Sequence, residues 1–334
     1  MYKKIEEVSS ISFDKFHNEI LPAGKPLVMR GLVNDWPMVK AGKAGAQEFC
    51  NYLKRFDRGY DINTAYGPPS IKGRFFYNAD MSGLNFRAGQ AKLSTSLDYL
   101  LEHADDNPPP ALAIQSVKIP HYIPGVEIEN RLSLLGEVEP RIWIGGRGIV
   151  AAHYDPSENI ACCLAGRRRF TLFPPEQVAN LYVGPFESTP AGAAISMVNF
   201  DQPDYEKYPK FKQAEEAALF TELEPGDAIF IPYLWWHHVR SLESVNALMN
   251  YWWGGIDNQP VDPRNALFHA MLAVKNMPQH HRDAWHTMFE HYVFEANGDI
   301  GEHLPEKRRG ILGTMLPDAI KTFGNNLAKM LTKP

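Results

Sequence analysis

The chain has 334 residues, of which 44% are hydrophobic and 22% are charged, and its formal net charge is −5 at pH 7. This composition is typical of a globular protein with material for one large domain or slightly more. No apolar stretch has transmembrane length, and the first residues lack the apolar segment of a signal peptide. The negative net charge provides no broad basic field for nucleic acid. We therefore predict a cytoplasmic protein that binds neither membranes nor nucleic acid.

The three cysteines indicate a reducing compartment. Cys50, Cys162 and Cys163 are odd in number and form no C-x-x-C pair, which argues against a disulfide framework. Cys162 and Cys163 lie inside an apolar, strand-like stretch, so we expect both to be small buried hydrophobic residues.

Residues 1–125 mix helical and strand patterns. Pro26 to Gly31 has the pattern of a strand that ends at a glycine, and Phe49, Tyr52, Leu53 and Phe56 recur at helical spacing. We predict that this region is an N-terminal α/β layer that packs on the core.

Residues 126–258 contain several short apolar runs separated by turn signals. The strongest turn is Glu224-Pro225-Gly226-Asp227, which has proline at its first central position and glycine at its second. Many short strands at regular spacing are typical of an all-β sandwich or barrel. The long segment from Pro175 to Glu215 interrupts these strands, and we expect it to form a wall over the functional site.

Residues 259–334 change to helical patterns. Asp262-Pro263 is a good N-cap and first-turn pair, and apolar stripes follow it, including one with Phe323 and Leu327. Such helices either cover the outer face of the β-domain or form a homodimer interface. The sequence leaves both possibilities open.

The candidate site begins with His153-Tyr154-Asp155. On an extended backbone, residues two apart project to the same face, so His153 and Asp155 can reach one metal ion together. A second histidine from a distant strand, supplied by Trp235-Trp236-His237-His238, would complete two imidazoles and one carboxylate. That set leaves coordination positions open on a ferrous ion. Adjacent strand residues face opposite ways, so only one of His237 and His238 can point inward.

The strand from Arg168 to Phe173 presents an arginine to the core. Arg168 shares its face with Phe170 and Leu172, whereas Arg167 and Arg169 lie on the other face and are expected to be solvated. A buried guanidinium requires an anionic or strongly polar partner. Either an internal carboxylate or a ligand carboxylate would satisfy Arg168.

Several separated motifs, in the same order, resemble those of the JmjC-type, cupin-fold oxygenases that use iron(II) and 2-oxoglutarate. The resemblance is closest to the branch that contains the asparaginyl hydroxylase factor inhibiting HIF, as a cupin-like domain of bacterial type. It covers residues 140–255 strongly and residues 26–115 loosely. Its motifs are His153 to Asp155 with Asn159, Leu172 to Gln177, Asp201 to Pro209, Pro225 to Asp227, Trp235 to His238, and Asn250 to Trp252.

The resemblance implies a fold and a set of roles. The fold would be mainly β with flanking helices: a double-stranded β-helix, or jelly roll, with a helical C-terminal region. The iron ligands would be His153, Asp155 and His237, and no catalytic residue is expected beyond the metal centre. The cosubstrate would contact Arg168, Asn159 and Asn250, and the substrate or pocket positions would be Tyr77, Gln115, Trp236 and Trp252.

By this resemblance the protein is expected to use Fe(II), 2-oxoglutarate and O2 to hydroxylate a C–H bond of a peptide or protein side chain. The chain departs from the branch in its cosubstrate pocket. The family branch uses a lysine where this chain has Arg168, and it adds hydroxyl groups where this chain has Ala113 and Val150. Two alternatives remain: a metal cupin that does not use 2-oxoglutarate, and a binding module without turnover.

Overall fold

The computed structural model describes residues 3–190, 192–255 and 261–331. The chain divides into two compact units, residues 1–253 and 254–334. In the first unit the described strands are β1 (Lys3–Lys4), β2 (Glu6–Val8), β3 (Leu27–Met29), β4 (Asp61–Gly67), β5 (Arg74–Phe75), β6 (Arg87–Lys92), β7 (Ala111–Lys118), β8 (Pro140–Gly145), β9 (Ile149–His153), β10 (Glu158–Ala165), β11 (Arg168–Phe173), β12 (Leu219–Leu223), β13 (Ala228–Ile231), β14 (Trp236–Ser241) and β15 (Asn246–Trp253).

Helices flank these strands. Those of the first unit are α1 (Phe13–Lys15), which continues through a π-helical turn (Phe16–Ile20) into α2 (Leu21–Ala23), then α3 (Pro37–Ala44), α4 (Ala46–Lys54), α5 (Leu93–Glu102), α6 (Ile119–Tyr122), α7 (Val126–Glu129) and α8 (Phe211–Ala217). Short 3₁₀ helices span Pro69–Ile71 and Pro175–Ala179. No helix in the described part of the chain is both long and apolar enough to cross a membrane.

The strands form two sheets. The minor sheet has the order β1-β12-β11-β14-β9-β5, and the major sheet has the order β2-β3-β13-β10-β15-β8-β7-β4-β6. This two-sheet, mainly β architecture with flanking helices is the one that the sequence predicted. Strands from residues 1–125 are hydrogen-bonded into both sheets, beside strands of the core. The predicted domain boundary at residue 125 therefore stays a prediction.

Strand β10 shows how the core is divided between the two faces of the major sheet. Ile160, Cys162 and Leu164 pack into a large apolar cluster with the N-terminal helices. Ala161 and Cys163 point the other way, into a cluster between the two sheets. Both faces are apolar because successive strand residues alternate and both sides of β10 are covered. The two cysteines are free and buried, as predicted.

The turn predicted at residues 224–227 forms and joins β12 to β13. The amide of Asp227 donates to the carbonyl of Glu224 at 3.0 Å, and Gly226 adopts a φ of +107°, which favours glycine. The carboxylate of Asp227 accepts from the Arg30 guanidinium at 2.6 Å and from the Gly31 amide at 2.9 Å. These bonds attach the N-terminal strand β3 to the core.

The second unit contains α9 (Pro263–Val274), α10 (Gln279–Tyr292) and α11 (Pro317–Leu331), with 3₁₀ turns at Glu306–Arg308 and Gly310–Leu312. The Asp262 side chain caps α9 by accepting from the Arg264 amide at 2.8 Å, as predicted. Large apolar side chains of α11 are exposed, among them Phe323, Leu327 and Met330. Their spacing places them on one stripe of the helix.

We expect Gly42→Ala to destabilise the fold. Helix α3 packs against β10 so closely that a Cβ atom at Gly42 would lie 2.0 Å from the carbonyl oxygen of Leu164. The backbone would have to shift to relieve this contact, so the free energy of unfolding should fall by about 1–3 kcal/mol. Gly136→Ala is the control, since its Cβ would meet no atom within 4 Å. Equal denaturation midpoints for the two variants would contradict this packing.

The homodimer is one of the two possibilities that the sequence left open, and the exposed stripe of α11 provides a way to test it. We expect light scattering after size exclusion to give twice the mass of the chain. Leu327→Glu should shift the protein toward monomer because it places a charge in the apolar stripe, whereas Lys321→Glu on the same helix should not. A monomeric wild-type protein would refute the prediction.

Candidate metal centre

The end of β9 supplies two of the candidate metal ligands. His153 is the last residue of β9, and Asp155 follows two positions later in the loop that leads to β10. The amide of Leu234 donates to the carbonyl oxygen of Asp155 at 3.1 Å, which attaches this loop to the segment before β14. The carboxylate is thereby held beside the strand that carries the third candidate ligand.

The third candidate ligand is His237 on β14. It pairs directly with His153 across the antiparallel β9 and β14 ladder, and the two ring centroids are 4.3 Å apart. His237 Nε2 lies 3.6 Å from Asp155 Oδ2. One donor atom from each of the three residues lies within 4.8 Å of the others. The structure thus brings together the three residues that the sequence singled out.

Both imidazole rings are held with one nitrogen directed toward the centre. The Nδ1 atoms of His153 and His237 lie 2.9 Å and 3.1 Å from the carbonyl oxygens of Ala151 and Trp235. A carbonyl can only accept, so Nδ1 carries the proton and Nε2 keeps its lone pair. This second contact fixes the ring orientation, as in many metal sites.

The electrostatic surroundings favour the neutral form of His237. Burial, together with the neighbouring His153, lowers the pKa of His237 to about 4, although Asp155 opposes the shift. The imidazole is therefore uncharged at neutral pH, which is the form that coordinates a metal. Two imidazoles and a carboxylate match the donor set of a non-haem iron(II) site with open positions.

His238 lies on the opposite face of β14. Its ring stacks on Phe200 with a centroid distance of 4.6 Å, and burial lowers its pKa to about 3. His238 is therefore a packed, neutral side chain next to the centre rather than part of it. The alternation expected for adjacent strand residues is confirmed.

The three candidate ligands open into a cavity of about 480 Å³ between the sheets. Arg168 lines this cavity from β11, together with Phe170 on the same face. Arg169 points away and pairs with Glu222 at 2.6 Å, which agrees with the predicted alternation. Ala113 and Val150 also line the cavity and add no hydroxyl group to it.

Arg168 is buried, and no described residue supplies a counter-ion for it. Only 7% of the residue is exposed, and its Nε atom has no hydrogen-bond partner among the residues that the structure describes. Burial lowers the pKa of the guanidinium to about 10, so the group is still a cation at pH 7. An uncompensated buried charge is costly, and a carboxylate bound in the cavity would compensate it. The alternative of an internal salt bridge at Arg168 is wrong for the described residues.

Asn159 and Asn250 lie in the same cavity on neighbouring strands. The Asn250 amide nitrogen donates to the Asn159 carbonyl oxygen at 2.8 Å, while the Asn250 Oδ1 atom is buried without a partner among the described residues. The pair therefore joins β10 to β15 and still offers one acceptor to the cavity.

Two of the predicted pocket residues lie elsewhere. Trp236 is adjacent to His237 and so faces the other way, where it packs on Tyr154 within an apolar cluster formed with residues 181–218. Tyr77 packs in an apolar cluster with Ala151 and Ile195 and donates its hydroxyl to the carbonyl of Ser188 at 2.8 Å. The prediction that these two side chains line the pocket is corrected, whereas Gln115 and Trp252 do line it.

Part of the cavity wall was not predicted from the sequence. Strand β7 has a bulge in which Gln115 and Ser116 oppose the single residue Trp143 on β8, and Ser116 adopts a φ of +51°. All three residues line the cavity. The alternation of Arg141, Trp143 and Gly145 on one face of β8 is the only signal in the sequence that could have indicated this wall. The expected wall from the long insertion is also present, since Pro190, Gly192 and Ile195 line the cavity.

Comparison with known proteins gives matches over the same region. The model of the family described as "Cupin-like domain" matches residues 13–259. Jumonji C domain-containing protein 5 of Drosophila melanogaster is 27% identical over 254 residues, 75% of this chain and 59% of that protein. Lysine-specific demethylase 8 of Xenopus tropicalis is 26% identical over 249 residues, 72% of this chain and 51% of that protein.

A shorter match is tRNA wybutosine-synthesizing protein 5 of Gallus gallus, which is 32% identical over 143 residues, 43% of this chain and 39% of that protein. The matched regions thus span between 39% and 59% of each relative's length.

We expect His237→Ala to abolish stoichiometric metal binding, because it removes one of three donor atoms. His238→Ala should retain the metal, since the His238 ring faces Phe200 on the other side of the strand. Iron content after anaerobic loading and dialysis measures both. An equal loss of iron in the two variants would contradict the assignment.

Proposed function

Because the chain belongs to the family of cupin-like domain proteins, we propose that it is an iron(II)- and 2-oxoglutarate-dependent oxygenase. It would hydroxylate a C–H bond of a peptide or protein side chain and release succinate and CO2. Members of this JmjC cupin family are typically oxygenases or demethylases of this kind. The observation that carries the proposal is the combination, in one cavity, of the three-residue centre with the cation Arg168, which has no counter-ion among the described residues.

Iron(II) would be held by His153, Asp155 and His237. When bound, the metal supplies the activation of O2 that is coupled to the decarboxylation of 2-oxoglutarate. The contribution of the chain is to fix the donor atoms, with Nδ1 of each ring held by a carbonyl. Its apolar walls, including Phe170 and Leu248, keep water from the reacting atoms.

Arg168 supports the use of 2-oxoglutarate over other metal-cupin chemistry. In a cupin whose ligand has no carboxylate away from the metal, a buried guanidinium without a counter-ion in the metal cavity would have no role. The distal carboxylate of 2-oxoglutarate would accept two parallel bonds from this group. Asn159 on β10 and Asn250 on β15 line the same cavity from the major sheet, where they would contact the cosubstrate or the metal-bound groups.

The shape of the cavity supports an extended substrate. Its lining residues come from seven adjacent strands of the major sheet, in the order β13, β10, β15, β8, β7, β4 and β6. Six strand spacings of about 4.8 Å give a groove about 29 Å long. A groove of that length fits a peptide segment better than a small metabolite. The residues of β6 that line the groove, Ala88 and Gly89, are small and allow a backbone to approach closely.

The finer assignment follows the motifs. We place the chain near the branch of factor inhibiting HIF, as a bacterial-type cupin-like domain, and we propose a hydroxylated side chain as the product. Demethylation of an N-methyl group is a substrate variant of the same reaction, because hydroxylation of a methyl group precedes its loss. One of the relatives bears the name of a lysine-specific demethylase.

Anaerobic titration of the iron(II) protein with 2-oxoglutarate tests this function. We expect the weak visible charge-transfer band of a chelated 2-oxo acid to appear. Arg168→Ala should keep its iron but raise the concentration of 2-oxoglutarate required by roughly tenfold to a hundredfold, since it removes a charge-assisted pair. Arg169→Ala is the matched control because its guanidinium pairs with Glu222 on the other face.

The contrary outcomes separate the alternatives. Iron binding without the band in the wild-type protein would reject 2-oxoglutarate and favour another metal cupin. A band without any oxygen-dependent succinate formation would favour a binding module. An unchanged 2-oxoglutarate requirement in Arg168→Ala would reject the carboxylate role of Arg168.

A further inference from the structure

A second cation lies beside the groove, on the sheet opposite Arg168. Arg141 on β8 pairs directly with Asn250 on β15, which in turn pairs with Ala161 on β10. Residues directly opposite in adjacent strands project from the same face of a sheet. Arg141 therefore projects from the cavity face, about 10 Å across the sheet from β10.

The guanidinium of Arg141 contacts two residues of the cavity wall. Its Nη1 atom donates to the Ser116 hydroxyl at 3.0 Å, and its Cζ atom lies 5.7 Å from the centroid of the Trp252 ring. No carboxylate of the described residues lies within salt-bridge distance of Arg141. The side chain is half-buried, so this is a partly desolvated cation held by one neutral hydrogen bond.

The cross-strand neighbour of Arg141 increases the positive charge. Lys118 on β7 pairs directly opposite Arg141, and its ammonium group binds Glu139 at 3.3 Å. Two like charges face each other here, and only one carboxylate compensates them among the described residues. Like charges directly opposite are unfavourable. The local surplus of one positive charge favours an incoming anion.

Two further hydrogen-bonding groups belong to the residues that Arg141 contacts. The Nε1 atom of Trp252 is buried and has no partner among the described residues, although Trp252 lines the cavity. The bulge of β7 holds Ser116 in a left-handed conformation that side chains rarely adopt. Bulges next to active sites commonly re-aim a side chain, and this one places the Ser116 hydroxyl against Arg141.

We propose that Arg141, together with Ser116 and Trp252 Nε1, forms a subsite that binds the carboxylate of an acidic residue in the substrate peptide. This inference rests on the proposed function for its substrate class and adds a specificity determinant to it. The acidic residue would lie beside the residue that reacts, since the subsite is next to Asn250 on the sheet. It is separate from Arg168, which belongs to the minor sheet.

A carboxylate suits this subsite better than a nucleic-acid backbone. A phosphate backbone is normally met by a row of cations, and its binding is dominated by their number. The groove offers Arg141 with its neighbour Lys118, in a chain whose net charge is −5. One planar guanidinium beside an indole N–H donor matches a single carboxylate group.

Peptide binding to the full chain tests the inference without relying on turnover. The probes are fluorescein-labelled libraries of 11-residue peptides. Each library has Asp or Asn fixed at one position and uncharged residues elsewhere. Fluorescence anisotropy measures the affinity of the protein for each library, with and without Mn(II). We expect Asp to be preferred over Asn by roughly tenfold at one position, as a partly exposed charge-assisted bond would give. Arg141→Gln should remove that preference.

Control variants separate the subsite from the fold and from the metal chemistry. Arg147→Gln, at an exposed arginine between β8 and β9, should keep the preference, and Arg141→Lys should keep part of it because the charge remains. Arg141→Gln should also keep the charge-transfer band with 2-oxoglutarate at wild-type concentrations. That band shows that the variant is folded, and it reports on the proposed function independently of the peptide.

Four outcomes would overturn the inference. The first is that the wild-type protein shows no preference for Asp, or binds none of the libraries. The second is that the preference for Asp persists in Arg141→Gln. The third is that Arg141→Gln loses the 2-oxoglutarate band, which would assign Arg141 to the cosubstrate. The fourth is Arg141-dependent binding of a single-stranded RNA of mixed sequence in place of the peptides.

Discussion

The candidate site depends on the antiparallel pairing of β9 with β14. His153 and His237 are separated by 84 positions in the chain and become direct cross-strand neighbours in this ladder. A slip of one residue would exchange His237 for Trp236 or His238 and move the imidazole to the other face. The ladder has a bulge on β9, where Ala151 and Ala152 oppose His238. That bulge fixes the register next to His153, so the donor set exists only while this pairing holds.

The core and the cavity share the space between the two sheets. Apolar side chains such as Ile229, Val239 and Leu248 pack part of that space, while the cavity occupies the rest. Five buried polar side-chain atoms lack a partner in the described residues, and three of them belong to residues that line the cavity: Arg168, Asn250 and Trp252. Unpartnered polar groups cost stability, so their concentration in one place is typical of a site formed for binding.

The width of the major sheet determines how far the cavity extends. Strands from the N-terminal half of the chain, β7, β4 and β6, extend that sheet beyond β8 and continue the cavity as a groove. The minor sheet supplies Arg168 and the histidines, and the major sheet supplies Arg141 and Trp252. The proposed cosubstrate and the proposed acidic residue of the substrate are therefore bound from opposite sides. Because the two cations lie on different sheets, the cosubstrate and the substrate can both approach the metal without competing for the same cation.

The sequence by itself determined the elements that follow from local rules and short spacings. Strand alternation was sufficient to predict that Arg168 points inward, that Arg169 points outward, and that His237 and His238 lie on opposite faces. It depends only on the two-residue period of a strand. The two-sheet fold and the turn at residues 224–227 followed from the same local patterns. The roles of the iron ligands came from motifs in a fixed order, and nothing in the composition indicated a substrate.

The tertiary structure decided which side chains share the cavity. Trp236 and Tyr77 were assigned to the pocket from resemblance, yet the first faces the opposite side of β14 and the second packs in a separate apolar cluster with Ala151 and Ile195. No sequence motif indicated the contact between Ser116 and Arg141. The two residues are 25 positions apart, and a bulge and a cross-strand register bring them together. Register and bulges are properties of paired strands, and a single strand's sequence does not encode its partner.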